Sequence, residues 1–387
     1  MSAPLNRGLT PRERFLRAMH FMPVDRVPFA PGGPRESTLA AWHRQGLPEG
    51  VSWYEALLEH LGMEPEVTRP RVRLGVSFIM IPTFQEKVLA HRDGHYIVQD
   101  WMGAITEISD TYDYTYIRAA KDFVTRKWHR FPVVSREDWE KKIRWRYDPH
   151  DPQRFPRDFE ARCAELRARD YVLTLNFNGP FWQLREWCGF EGLCLLMIEE
   201  PEFVEEMAEF WTAFVSQTLD PILRLAPPDH VIISEDMAYK CHSMISPQMV
   251  RRFLMPAWRT WIAALKAANP ECVVEMDCDG YIAELLPLWV EAGFDACSPV
   301  EVAAGNDIVA YRRRYGRTMA FRGGIDKRAL AKGGEVMRRE VLRVVPPLLE
   351  EGGFIPGCDH GVPPDISWPN FVAYARLLAR LTGWLSA

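Results

Sequence analysis

A chain of 387 residues with 47% hydrophobic and 26% charged side chains has room for a large core and is composed like a soluble globular protein. A net charge of −5 leaves no basic footprint for nucleic acid, and no apolar run approaches the roughly 20 residues needed to span a bilayer. Eight cysteines without a Cys-x-x-Cys pair, and a start without an apolar signal core, predict a reduced, cytoplasmic protein.

Taken in chain order, residues 10–22 predict a helix with Thr10 as its cap and Pro11 in its first turn. Val27-Pro-Phe-Ala-Pro reads as a first strand, and residues 36–65 read as helical. The rhythm then breaks over residues 84–135. Asp93-Gly94 between alternating apolar residues is a hairpin signal, so this stretch is expected to be a β insertion over the mouth of the main fold. Residues 135–170 are polar and helical, with proline-rich breaks at 149–156.

From residue 171 a short apolar run followed by a helix-like stretch recurs six times. The runs begin at Tyr171, His230, Cys272, Ala296, Thr318 and Gly353. Such alternation predicts an α/β fold with a parallel sheet, and six evenly spaced units favour a closed (β/α)8 TIM barrel. With the N-terminal helix and the insertion at about 84–135, residues 1–387 are expected to form one domain.

The ends of these runs are where the chemistry gathers. They carry Asn176 and Asn178, then Glu235 and Asp236, then Glu275, Asp277 and Asp279, then Glu301, then Arg322 and Asp326, then Cys358, Asp359 and His360. Desolvating a carboxylate costs several kcal/mol or more unless it is paired, so a buried strand has no use for acids. The carboxyl end of such a strand is where α/β folds place their sites. Converging acids there repel one another, and a divalent cation or a cationic ligand relieves that. Each residue also has an ordinary role open to it. Asp277 or Asp279 would cap the next helix, Glu235 and Asp236 would pair with Lys240 or Arg252, Glu301 would pair with Arg322, and Cys358 would pack as a small hydrophobe.

Several motifs carry a family resemblance. Thr10-Pro-Arg-Glu-Arg-Phe-Leu-Arg-Ala-Met with Asp25-Arg-Val-Pro, Gly179-Pro-Phe-Trp-Gln-Leu-Arg-Glu-Trp-Cys-Gly, Ile245-Ser-Pro-Gln-Met-Val, Phe321-Arg-Gly-Gly-Ile-Asp-Lys and His360-Gly-Val-Pro-Pro-Asp together resemble the uroporphyrinogen decarboxylase superfamily. The resemblance implies a barrel with its site at the carboxyl face, and it covers two branches. The decarboxylase branch grips a polycarboxylated tetrapyrrole with an arginine-rich segment after the first strand. This chain has Ala30-Pro-Gly-Gly-Pro-Arg-Glu-Ser there, with Arg35 and an acid beside it, which disfavours that activity.

The other branch, zinc-dependent methyltransferases serving corrinoid proteins, implies a ligand set. Its His-x-Cys falls on Asp277 and Asp279, and its last ligand falls on His360, with Cys358 as the alternative. Two carboxylates and an imidazole are harder ligands than two thiolates and suit a metal polarising an ether or amine leaving group. The expected activity is methyl transfer from a small methylated substrate, by O-demethylation of an aryl methyl ether or from a methylamine, to a corrinoid carried by a partner protein. Zinc would be the metal. Glu235, Asp236 and His360 would handle protons or orient the substrate. Asn178, Trp182, Tyr239, Glu301 and Arg322 would complete the substrate and supporting groups. A homodimer is compatible with this reading. The alternatives are a metal-independent decarboxylase or lyase acting on a small carboxylated substrate, and a non-catalytic barrel that only binds a ligand.

Overall fold

The computed structural model describes residues 8–64, 74–112 and 125–386. The end of the expected 36–65 helix and part of the expected insertion, residues 113–124, lie outside these. The first helix, α1 (Pro11–Met19), begins as its sequence requires. The Thr10 side chain accepts from the Glu13 backbone and the Glu13 carboxylate accepts from the Thr10 backbone, a capping box with Pro11 in the first turn. The stretch expected as one helix from 36 is two, α2 (Glu36–His43) and α3 (Trp53–Leu61). Gly46, Pro48 and Gly50 interrupt helical propensity between them.

The insertion is a four-stranded antiparallel sheet, β1 (Lys87–Arg92), β2 (His95–Gln99), β3 (Ile105–Ser109) and β4 (Arg126–Arg130), in that order. Asp93, at φ +52°, and Gly94 make the expected turn between β1 and β2. This sheet reaches the main fold through the helix Pro180–Cys188, where the Val133 N–H donates to the Trp187 carbonyl at 3.1 Å.

The main sheet has six parallel strands: β5 (Thr174–Asn178), β6 (His230–Ser234), β7 (Val273–Asp277), β8 (Ala296–Ser298), β9 (Ala320–Ile325) and β10 (Phe354–Cys358). They lie side by side in sequence order, each joined to the next by helical crossovers. The expected first strand at 27–31 is not one of them. Pro28, Pro31 and Pro34 remove the donors a ladder needs. What remains is a line of contacts along β10: the Cys358 N–H donates to Pro31 O, Val362 N–H to Gly33 O, and Pro34 bridges Val362 in parallel.

Register decides which side chains share a level on the inner face. Asn176, Ile232 and Glu275 align; one level on, Asn178, Ser234, Asp277 and Ser298 align. The outer face is packed against helices in one large apolar cluster that takes in Leu175, Phe177, Val231, Ile233, Val274 and Met276. At the amino end, Phe15, Leu16, Ala18 and Met19 of α1 pack on Val273, Ala296, Ala320 and Ile355 and plug that end of the inner face. No described helix is long and apolar enough to cross a membrane.

Candidate active site

At the carboxyl ends of the parallel strands lies a cavity of about 300 Å³. Trp182, Asp236, Asp277, Asp279, Cys358 and His360 line it, together with Pro299 and Gly361. Six of the residues expected from sequence therefore meet around one space. His360 is the sole basic side chain among the lining residues.

The acids are placed by backbone geometry. Asp277 is the last residue of β7, and the Ser234 hydroxyl at the end of β6 donates to it at 2.9 Å. Asp236 sits at φ +41°, unusual for a residue with a side chain, and accepts from the Asp279 N–H at 3.1 Å. Gly280 has φ +84°, and a Cβ there would stand 2.6 Å from the Ala238 carbonyl. The two loops can come this close only because residue 280 is glycine.

The electrostatics follow from burial and crowding. Desolvation raises Asp277 from 3.8 to about 7; Ser234 opposes this and the charges of Asp236, Asp279 and Glu275 reinforce it. Asp236 is also raised, first by burial and then by Asp279. His360 contacts Asp279 Oδ2 through Nε2 at 2.8 Å and Arg35 Nη2 through Nδ1 at 3.1 Å. Arginine can only donate, so Nδ1 accepts and Nε2–H donates to Asp279. The bond to Asp279 raises the His360 pKa. Burial pushes the Cys358 thiol up to about 12, so it is not a thiolate at neutral pH.

These observations bear on the expected zinc ligands. Asp277, Asp279, Cys358 and His360 do line one cavity. Among the described residues, however, no three His, Cys, Asp or Glu side chains are grouped so as to hold a metal ion. Both ring nitrogens of His360 are engaged, by Asp279 and Arg35. As arranged, the four do not form a coordination shell.

The remaining expected residues lie outside the lining. Glu235 is fully buried behind it. It accepts from the Trp182 N–H at 3.0 Å and from the Trp258 indole at 2.7 Å. Burial lifts it to about 8 against the pull of these donors. Its place is to hold the first turn of the helix Pro180–Cys188, and with it Trp182, against the cavity. The Trp182 indole is fixed in turn by Glu186 at 2.8 Å, and Asn178 joins that same carboxylate at 3.4 Å rather than the cavity. Tyr239 is 69% exposed near the rim. Glu301 pairs with Lys327 at 2.7 Å, not with Arg322, and accepts from the Gly280 N–H at 3.2 Å. Arg322 instead bonds Glu275 at 3.0 and 3.1 Å. Arg252 pairs with Glu205, away from Glu235 and Asp236.

Gly179 shows how tightly Glu235 is held. A Cβ there would lie 2.1 Å from the Glu235 carboxyl. Gly179→Ala is therefore expected to cost about 1–3 kcal/mol in a urea melt and to raise KM by displacing Trp182. A variant with unchanged stability and KM would show that Glu235 has room to move.

Sequence reasoning missed two contributors: Arg35 orients His360 and Ser234 bonds Asp277. Glu275, expected among the strand-end acids, instead anchors a buried ionic group on the inner face. The strand-end position of Ser234 was a usable signal. Arg35 lies 325 residues from His360 in the chain, and nothing local announces the pair.

The comparisons with known proteins agree with this architecture. The family model of uroporphyrinogen decarboxylase (URO-D) matches residues 164–380, more than half of the chain. The chain is 23% identical over 252 residues to the uroporphyrinogen decarboxylase of Chlorobaculum parvum, covering 62% of this chain and 67% of that protein. It is 24% identical over 220 residues to that of Methylococcus capsulatus, covering 53% of this chain and 59% of that protein. Among solved structures it resembles a methyltransferase from Methanosarcina mazei with a TM-score of 0.53 and 16% identity, over 95% of this chain and 98% of that one. At that identity the likeness is one of fold. Sequence match, parallel sheet and strand-end site together make this chain a member of the uroporphyrinogen decarboxylase (URO-D) family.

Proposed function

We propose that the protein is a methyltransferase that takes a methyl group from a small methylated ammonium donor and passes it to a corrinoid carried by a partner protein. The observation that carries this reading is the convergence of Asp236, Asp277 and Asp279 on one small cavity with His360 as its sole basic lining group. Three crowded carboxylates favour a cation, and Trp182 lines the same cavity. A neutral aryl methyl ether leaves that charge uncompensated, and a polycarboxylated tetrapyrrole adds to it. Uroporphyrinogen decarboxylation is therefore not proposed.

The corrinoid, when bound, supplies the nucleophile that accepts the methyl group. The work of this chain is to bind the donor and manage its charge. Asp277 ionises against the incoming ammonium. The methyl–nitrogen bond breaks with its electron pair left on nitrogen, so the amine leaves neutral. Asp277 then takes up a proton, and the three acids are not left fully charged together. Cation affinity accordingly rises as the pH passes upward through about 7. No step is routed through zinc, and elemental analysis of the purified protein checks that expectation directly. We read the main sheet, continued beside β10 by residues 31–35, as part of a (β/α)8 barrel in a single domain, with the four-stranded sheet as its insertion.

The test is to incubate the protein with cob(I)alamin and a donor and to follow methylcobalamin. Trimethylamine or tetramethylammonium is expected to give product, while anisole gives none. Product from anisole alone would reassign the donor. Conversion of uroporphyrinogen to coproporphyrinogen, or no methylcobalamin from any donor, would overturn the reading.

A further inference from the structure

The inner face of the main sheet is not filled. Asn176, in the middle of β5, is exposed although its neighbours Leu175 and Phe177 are buried in the core. Ile232 and Ser298 on the same face are only partly buried. The amino end of this face is plugged by α1, so the space opens toward the carboxyl ends and the acidic cavity.

Arg322 projects from this same inner face, beside the acidic cavity and outside its lining. It is on β9, beside β8 and so two strands from Asp277, a span of about 10 Å across the sheet. Its Nη1 bonds both oxygens of Glu275, at 3.0 and 3.1 Å. Glu275 is itself fully buried and also holds the His230 ring at 3.0 Å. Nε and Nη2 make no hydrogen bond among the described residues, and the Arg322 side chain is 31% exposed. One edge of the guanidinium is thus fixed by a buried carboxylate. The other presents two parallel donors to the open space, the geometry that takes a carboxylate bidentately.

We infer that the substrate is a small zwitterion, with its carboxylate on Nε and Nη2 of Arg322 and its methylated ammonium end against Asp236, Asp277 and Asp279. This rests on the cation site proposed above and adds the second half of the molecule. The methyl donor is then a betaine or an N-methylated amino acid rather than a simple methylamine. The inner face supplies one donor pair at one end and three acids at the other, so ligand length becomes a specificity determinant.

Titration calorimetry with tetramethylammonium, glycine betaine and its three-methylene homologue tests this on the full chain. Wild-type protein is expected to bind at least one of the two zwitterions about tenfold or more tighter than tetramethylammonium, about 1.4 kcal/mol. Arg322→Lys keeps a positive charge for Glu275 but loses the fork. It is expected to remove most of that advantage while leaving the tetramethylammonium affinity within about twofold. If tetramethylammonium binds and neither zwitterion gains, the carboxylate site is wrong and the cation site stands. If Arg322→Lys weakens all three ligands equally, Arg322 acts only through the fold and the inference falls. If none of the three binds wild-type protein, the cation site itself is refuted, and this inference with it.

Discussion

Asp277→Asn is expected to abolish methyl transfer while making the folded protein more stable at pH 8. The carboxyl is pushed from 3.8 to about 7 by burial and by its acidic neighbours. A raised carboxyl pKa means that the folded state holds its proton where the unfolded chain has lost it. Stability is therefore eroded as pH rises from about 4 to about 7, and the penalty is complete above that. The gap corresponds to roughly 4 kcal/mol at most. Asparagine still accepts from Ser234 and carries no charge, so a urea melt at pH 8 should show a gain of up to that size and little change near pH 4. Turnover should fall by about 10²–10⁴-fold, the range for loss of a proton-handling group. A variant that is active, or one that is destabilised at pH 8, would remove Asp277 from the role given to it. The opposition of stability and activity at one residue is what a site built on strain predicts.

Glu275→Ala should do the reverse and damage the fold. Glu275 is fully buried, yet Arg322, His230 and Ser298 outweigh the desolvation of its carboxyl and hold it down at about 2. Replacing it leaves the Nη1 edge of Arg322 without its counter-charge, which typically costs 3–5 kcal/mol, or roughly that here. The sign of the pH dependence is fixed by the depressed value. The contribution of Glu275 is fully present above about 4.5 and is lost as pH falls toward 2. A melt of the wild-type protein should weaken over that window, and the variant should lack this component of the slope. A Glu275→Ala protein as stable as wild type at pH 7 would show that the pair is solvated and contributes little.

Much of the fold was legible because its signals are local. Apolar runs of strand length alternate with amphipathic stretches, and this rhythm placed all six parallel strands. Thr10 and Pro11 wrote a helix start in two residues. Asp93-Gly94 wrote a turn. The failures were also local. Pro28 and Pro31 broke up the expected first strand, so the chain meets β10 only from residue 31 on, through Pro31 O, Gly33 O and the Pro34–Val362 bridge, and a glycine-proline stretch split the helix expected from residue 36.

The site divides differently. Residue types alone put Asp236, Asp277, Asp279, Cys358 and His360 at strand ends, because acids and an imidazole at those positions are too costly to bury without a purpose. What they do there depends on partners brought in from far along the chain. Arg35 engages Nδ1 of His360, and Asp279 engages its Nε2. Glu235 follows the same strand as Asp236, yet it turns inward to hold Trp182, because residue 179 is a glycine that leaves it room. Arg322 points to Glu275 and not to Glu301, because register sets Ser298 and Asp277 on one level and places Glu275 one level below, within its reach. Period and composition act over a few residues and so determine which elements form and which ends carry charge. Hydrogen-bond partners, burial and the pKa values that follow from them depend on distances across the sheet, and only the folded chain sets those.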